Sequence, residues 1–138
     1  MLTPEYMNAK LEEHFGYEQR DDVDGVLSTL TEDVEHDIVG WPGGPTRGRE
    51  DARAFYDVLF ADLADGQVST VRRLHGEDFM VDESIWRGTA VGRPFGHEGR
   101  GRPLEFRLLH ILEFAADGRI SRENVWVDGA AIQAQLPA

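Results

Sequence analysis

One aspartate stands where its neighbours could support proton transfer, and two histidines lie in phase with apolar residues. Residues 30–41 read Leu-Thr-Glu-Asp-Val-Glu-His-Asp-Ile-Val-Gly-Trp, with acids alternating with apolar residues. Successive side chains of a strand face opposite sides, so Glu35, Asp37 and Val39 share one face and Val34, His36 and Ile38 the other. Asp37 is followed by Ile38 and Val39 and lies close to Trp41. Apolar surroundings raise the basicity of a carboxylate, which makes Asp37 a candidate general base. The plainer reading is an edge strand with solvated acids. His110 is the only ionisable residue in the alternating set Leu104, Phe106, Leu108, His110, Leu112, Phe114. His14 falls at helical spacing with Met7, Leu11 and Phe15. Read from the residues alone, each is a satisfied core histidine, although a neutral imidazole has one hydrogen bond to donate. Asp128 ends a strand-like run and starts the turn into Gly129. Trp41, Trp86, Trp126 and Phe55 are core or cavity-lining aromatics, and such a wall suits a flat, fused-ring ligand.

Other chemistries find less support. The chain has no cysteine, which removes disulfides, thiolate metal sites and a cysteine nucleophile. His36 and Asp37 are adjacent on a strand and point apart, and no histidines repeat at His-x-x-x-His spacing, so no metal site is expected. Residues 92–101 are rich in glycine and arginine but open no helix, unlike a phosphate-binding loop, and no local motif marks Ser–His–Asp chemistry. The 138 residues carry 14 Lys and Arg against 26 Asp and Glu, a net charge of −12, with a single lysine, Lys10. That balance argues against nucleic acid or an anionic membrane as partner. No basic-then-apolar leader and no membrane-length apolar run is present, so a cytoplasmic location is expected.

The elements that must position these groups can be read in order. Thr3 and Pro4 form a helix start, followed by the apolar face just described. Asp21-Asp22 opens a second helix with Val23, Val26, Leu27 and Leu30 inward, and the strand of residues 30–41 follows. Residues 40–45 are a Gly/Pro loop. A third helix spans 49–63 with Ala52, Phe55, Tyr56, Leu59 and Leu63 as its inner stripe, and Asp65-Gly66 ends it. From residue 67 the period becomes two: strands at 67–74, 78–91, 104–114 and 120–127, with 92–102 as a hairpin connection that could act as a mobile lid and Asp117-Gly118 as a tight turn. On the last strand Arg122, Asn124, Trp126 and Asp128 share a face. Residues 130–136 close the chain. Three helices followed by antiparallel strands make one α+β domain over residues 1–138, whose curled sheet would leave a cavity for a small apolar ligand.

Thr3-Pro4-Glu5, Asp24-Gly25-Val26, residues 34–40 and Phe55-Tyr56 in the first part, and Gly88-Thr89, Gly101-Arg102, Glu105-Phe106-Arg107, residues 117–120, Asp128 and Gln135-Leu136 in the second, resemble the NTF2-like superfamily, in particular its SnoaL-like polyketide cyclases and ketosteroid isomerases. The resemblance implies an NTF2-like cone, three N-terminal helices packed on a curved antiparallel sheet. It implies Asp37 as the general base and Tyr56 as support of an oxyanion hole. His14 and His110 stand in place of the family's tyrosine and protonated-aspartate donors, and Asp128 at the acid–base aspartate of the cyclases. The expectation is a cofactor-free acid–base catalyst, isomerase or cyclase type, on a small hydrophobic carbonyl compound, polyketide-like or steroid-like, with Trp41, Phe55, Tyr56, Trp86, Asn124 and Trp126 around the ligand. The alternatives are a non-catalytic ligand-binding or dimerisation module, a dehydratase, or an epoxide hydrolase. The last needs an Asp–Arg–Asp cluster, and Arg107 is expected on the face away from His110. A homodimer through the outer sheet face, centred on Leu109 and Ile111, is expected in every case.

Overall fold

The computed structural model describes residues 2–138. Helix α1 (Pro4–Gln19) begins where Thr3 Oγ1 accepts from the Tyr6 amide at 3.0 Å and proline occupies the first turn, and it buries Met7, Leu11, His14 and Phe15. Helix α2 (Val23–Ser28) is capped by the Asp22 carboxylate and leads into β1 (Leu30–Ile38). After the Gly/Pro loop come a two-residue strand, β2 (Thr46–Arg47), and helix α3 (Arg49–Asp62), which buries Ala52, Phe55 and Tyr56. The remaining strands are β3 (Leu63–His75), β4 (Phe79–Ala90), β5 (Arg102–Phe114) and β6 (Ile120–Val127), and helix α4 (Gly129–Gln135) ends the chain. Among the described residues no helix is long and apolar enough to cross a membrane.

The fold is α+β, as expected, with two corrections. The six strands form one curved sheet in the order β2-β1-β6-β5-β4-β3, and β1 runs parallel to β6, so the sheet is mixed rather than antiparallel. The helices number four among the described residues, not three. The extra one is the C-terminal α4, where Ile132 and Leu136 pack with Leu104 and Phe106 into a second apolar cluster. The main cluster joins α1, α2 and α3 to the inner face of β1, β4, β5 and β6.

Two local departures matter for the cavity. Leu63 is already extended, so α3 passes straight into β3, and Asp65-Gly66 is an irregularity within the strand rather than a helix stop. Asp65 takes φ +56°, a conformation that Asp tolerates better than most residues. Gly66 and Gly88 then leave room for the Trp86 ring: a Cβ would come within 2.7 Å of its Nε1 from Gly66 and within 2.4 Å of its Cη2 from Gly88. Trp86 therefore lies flat beside Phe106, with ring centroids 5.3 Å apart.

Candidate active site

Helices and sheet enclose a cavity of about 440 Å³. Phe15, Phe55, Phe60, Trp86 and Phe106 supply much of its wall, and its polar end is formed by Tyr56, His110, Glu123 and Glu18. A cavity of this size and lining fits a small, largely apolar molecule.

Glu123 is the centre of the polar end. It lies on the inner face of β6 with Val125 and Val127, and only 1% of it is exposed. Its Oε1 accepts from the Tyr56 hydroxyl and lies 3.0 Å from His36 Nε2. Its Oε2 lies 3.0 Å from His14 Nε2 and 3.8 Å from His110 Nε2. His14 Nε2 is also 3.1 Å from Glu18 Oε1, one helical turn along α1. At the other side of the His14 ring, Nδ1 lies 2.8 Å from Thr29 Oγ1. The Thr29 hydroxyl donates to the Val26 carbonyl at 2.6 Å, so it accepts from His14, and Nδ1 carries a hydrogen. Four side chains, from α1, β1, α3 and β5, thus converge on one carboxylate of β6.

The electrostatics follow from burial and from these neighbours. Burial pushes the His14 pKa down, but the charges of Glu123 and Glu18 and their hydrogen bonds outweigh it and raise the value to about 10. Burial opposes ionisation of Glu123, yet the adjacent His14, with the hydrogen bonds from His14 and His36, holds it well below the usual carboxylate range. Tyr56 is pushed up, first by burial and then by the charge of Glu123. His110 goes the other way. Burial lowers its pKa, and the more distant carboxylates of Glu123, Glu18 and Asp82 do not make up the loss. Its Nδ1 is buried and has no hydrogen-bond partner, and its ring meets the edge of Phe15 at 5.3 Å. Asp82, opposite His110 on β4, is held by Arg73 at 2.8 Å.

A family model of the SnoaL-like domain matches residues 11–123. The chain belongs to the SnoaL-like domain family. No curated protein matches it. Solved structures do. It is similar to TsrD from Streptomyces laurentii, at 20% identity over 100% of this chain and 99% of that one, with a TM-score of 0.86. It is similar also to a candidate SnoaL-like polyketide cyclase from Jannaschia sp. CCS1, at 18% identity, 100% and 97% coverage and a TM-score of 0.84. An LEH-like epoxide hydrolase from M. tuberculosis follows the same fold at 17% identity, 95% and 89% coverage and a TM-score of 0.72. At these identities the likeness is one of fold.

In this SnoaL-like chain the sequence candidates separate into two groups. His14, His110 and Tyr56 meet around Glu123, and Phe55 and Trp86 line the cavity. Asp37 does not join them. It is outside the cavity lining, on the opposite face of β1, with Oδ2 3.4 Å from Arg122. The inward residue is its neighbour His36, because adjacent strand positions face opposite sides. Asn124 is on that outer side too, donating from Nδ2 to the Asp37 carbonyl at 3.1 Å. Asp128 caps α4 by accepting from the Ala131 amide at 3.1 Å. Trp126 is 39% exposed and pairs with Leu109, away from the cavity. Trp41 packs behind Phe55, ring centroids 4.8 Å apart. Arg107 points outward as expected and pairs with Glu83. Glu123, Glu18 and His36 were not among the sequence candidates. The signal for Glu123 was the one that marked His110: a lone ionisable group in phase with inward apolar residues, here Val125 and Val127.

Proposed function

We propose that this SnoaL-like protein is an acid–base catalyst that moves a proton beside the carbonyl of a small hydrophobic compound, polyketide-like or steroid-like, held in the cavity. The reaction is of the isomerase or cyclase type, and His110 is the proton carrier. The observation that carries this reading is a buried histidine on the cavity wall whose Nδ1 has no hydrogen-bond partner. Nδ1 accepts the substrate's proton. The imidazolium so formed turns its Nε2–H toward Glu123 Oε2, 3.8 Å away, whose charge stabilises it until the proton returns to another carbon of the substrate. His110 thereby takes the role that the sequence suggested for Asp37. Both His110 and Glu123 are buried, which strengthens their interaction. The same reading includes a homodimer through the outer sheet face, where Leu109 lies beside the exposed Trp126.

The test is a panel of cyclic and steroidal β,γ-unsaturated ketones, whose isomerisation into conjugation is followed by ultraviolet absorbance. The wild type accelerates at least one of them, and His110→Ala, folded by circular dichroism, loses about 100-fold or more in kcat. A wild type that binds these ketones without turning any over points to a ligand-binding module instead. A His110→Ala variant as fast as wild type removes His110 from the mechanism.

A further inference from the structure

The polar end of the cavity holds two carboxylates that converge on one nitrogen. His14 Nε2 lies 3.1 Å from Glu18 Oε1 and 3.0 Å from Glu123 Oε2. An imidazole nitrogen carries at most one hydrogen, so a single N–H is shared between two full charges. Both carboxylates hold the proton on that nitrogen; one metal ion in its place would meet all three donors at once. The three donor atoms lie within 4.8 Å of one another, and modest shifts bring them to the roughly 2.0–2.2 Å at which His and carboxylate ligands hold zinc.

The surroundings are those of a metal centre. Metal-bound histidines donate their second ring nitrogen to a fixed acceptor, which sets the tautomer. His14 Nδ1 does this to Thr29, itself anchored on the Val26 carbonyl, so Nε2 is the nitrogen left for a metal. Metal-bound carboxylates are hydrogen-bonded on their free oxygen. Glu123 Oε1 is taken by Tyr56 and His36, so Oε2 remains, turned toward His14 and His110. Charge points the same way. A neutral His14, two carboxylates and a dication sum to zero, whereas a proton alone leaves one negative charge against an apolar cavity. Three protein ligands, two of them on the cavity wall, match the open design of catalytic zinc sites rather than the closed design of structural ones.

We infer that His14, Glu18 and Glu123 bind a first-row divalent metal ion of the zinc type, with its open position toward the cavity. Such an ion supplies what His110 lacks. In the cluster the Tyr56 hydroxyl and the Nε2 atoms of His14 and His36 face Glu123 and are not free for a substrate oxygen. A carbonyl oxygen on the ion would have its developing charge stabilised by Lewis-acid contact while His110 moves the proton. The use in catalysis rests on the function proposed above; binding of the ion does not.

The experiment is calorimetric titration of chelator-treated wild-type protein with zinc chloride at neutral pH, repeated with cobalt(II) and a visible spectrum. One equivalent of zinc binds the wild type, and cobalt gives a protein-dependent absorption band. Glu18→Gln, at a partly exposed position, weakens zinc at least about tenfold and removes the band. His75→Ala, at a histidine bonded to Asn8 and outside the His14–Glu18–Glu123 group, leaves both unchanged. A folded wild type that takes up no zinc overturns the inference, as does equal binding by wild type, Glu18→Gln and Glu123→Gln. Because the titration reads binding without turnover, its failure leaves the proton-transfer reading standing, and inactivity toward the ketones leaves this one standing.

Discussion

Two charged clusters sit back to back across the same pair of strands, one residue apart in sequence. On the outer side Glu35, Asp37 and Glu113 surround Arg122. On the inner side three histidines and Tyr56 surround Glu123. The central side chain is 34% exposed in the first and 2% in the second. Water screens the outer cluster, so its ion pairs contribute little to stability. In the inner cluster each charge exists only because a neighbour holds it. Residue type alone therefore says little about a strand acid; the face decides whether it is solvated decoration or part of a chemical group.

Breaking the two centres should separate them most sharply. Glu123→Ala leaves His14 with one carboxylate fewer and an unfilled buried space, and urea unfolding should show a loss of about 3–5 kcal/mol. Arg122→Ala, on the solvated side, should cost less than about 1 kcal/mol in the same assay. Kinetics sharpens the contrast between neighbouring faces. Where His110→Ala loses about 100-fold in kcat, equivalent to roughly 2.7 kcal/mol, Asp37→Asn should stay within about twofold of wild type, because its carboxylate is on the wrong side of β1. A large loss in Asp37→Asn would restore that residue as the base. At the edge of the fold, Asp128→Ala should cost about 1 kcal/mol by removing the α4 cap and leave turnover unchanged, whereas an acid–base role would cost turnover.

The smallest effect is expected in the β5–β6 turn. There the Arg119 backbone amide, and then its side chain, lower the Asp117 pKa. A carboxyl with a depressed folded-state pKa stabilises the protein above its unfolded pKa, and that contribution is lost as pH falls through the folded one. Asp117→Asn should therefore show a small Tm deficit at pH 7 that closes below about pH 4. A deficit independent of pH would point to turn geometry instead of charge.

Much of the fold was legible because its longer elements carry clear periods. The stripes of α1 and α3 and the alternation in β5 assign the inward residues correctly, including His14, Tyr56 and His110. β6 is different. It has eight residues, with polar groups in both phases, so Arg122 and Asn124 competed with Glu123 for the inward face. In β1 Val34, His36 and Ile38 form the apolar phase, yet Asp37, one step out of phase, stood out through its neighbours Ile38, Val39 and Trp41 and then through the resemblance to ketosteroid isomerases. A one-residue offset moves a side chain to the other side of a sheet. Helix α4 has seven residues, too few for a period, and it hid behind an aspartate that reads equally as turn or acid. The parallel pairing of β1 with β6 joins segments nearly ninety positions apart, as in Asp37 with Asn124, and no local pattern announces it.

That pairing also sets the order in which the molecule can be built. His14, His36 and Tyr56 belong to the first half of the chain, and their common acceptor is on its last strand. A ribosome releases three polar side chains with nothing to hold them until β6 emerges and slides in beside β1. Contacts between such distant segments carry a large loop-closure entropy and slow folding. The buried cluster around Glu123 therefore exists only once the final strand is in place.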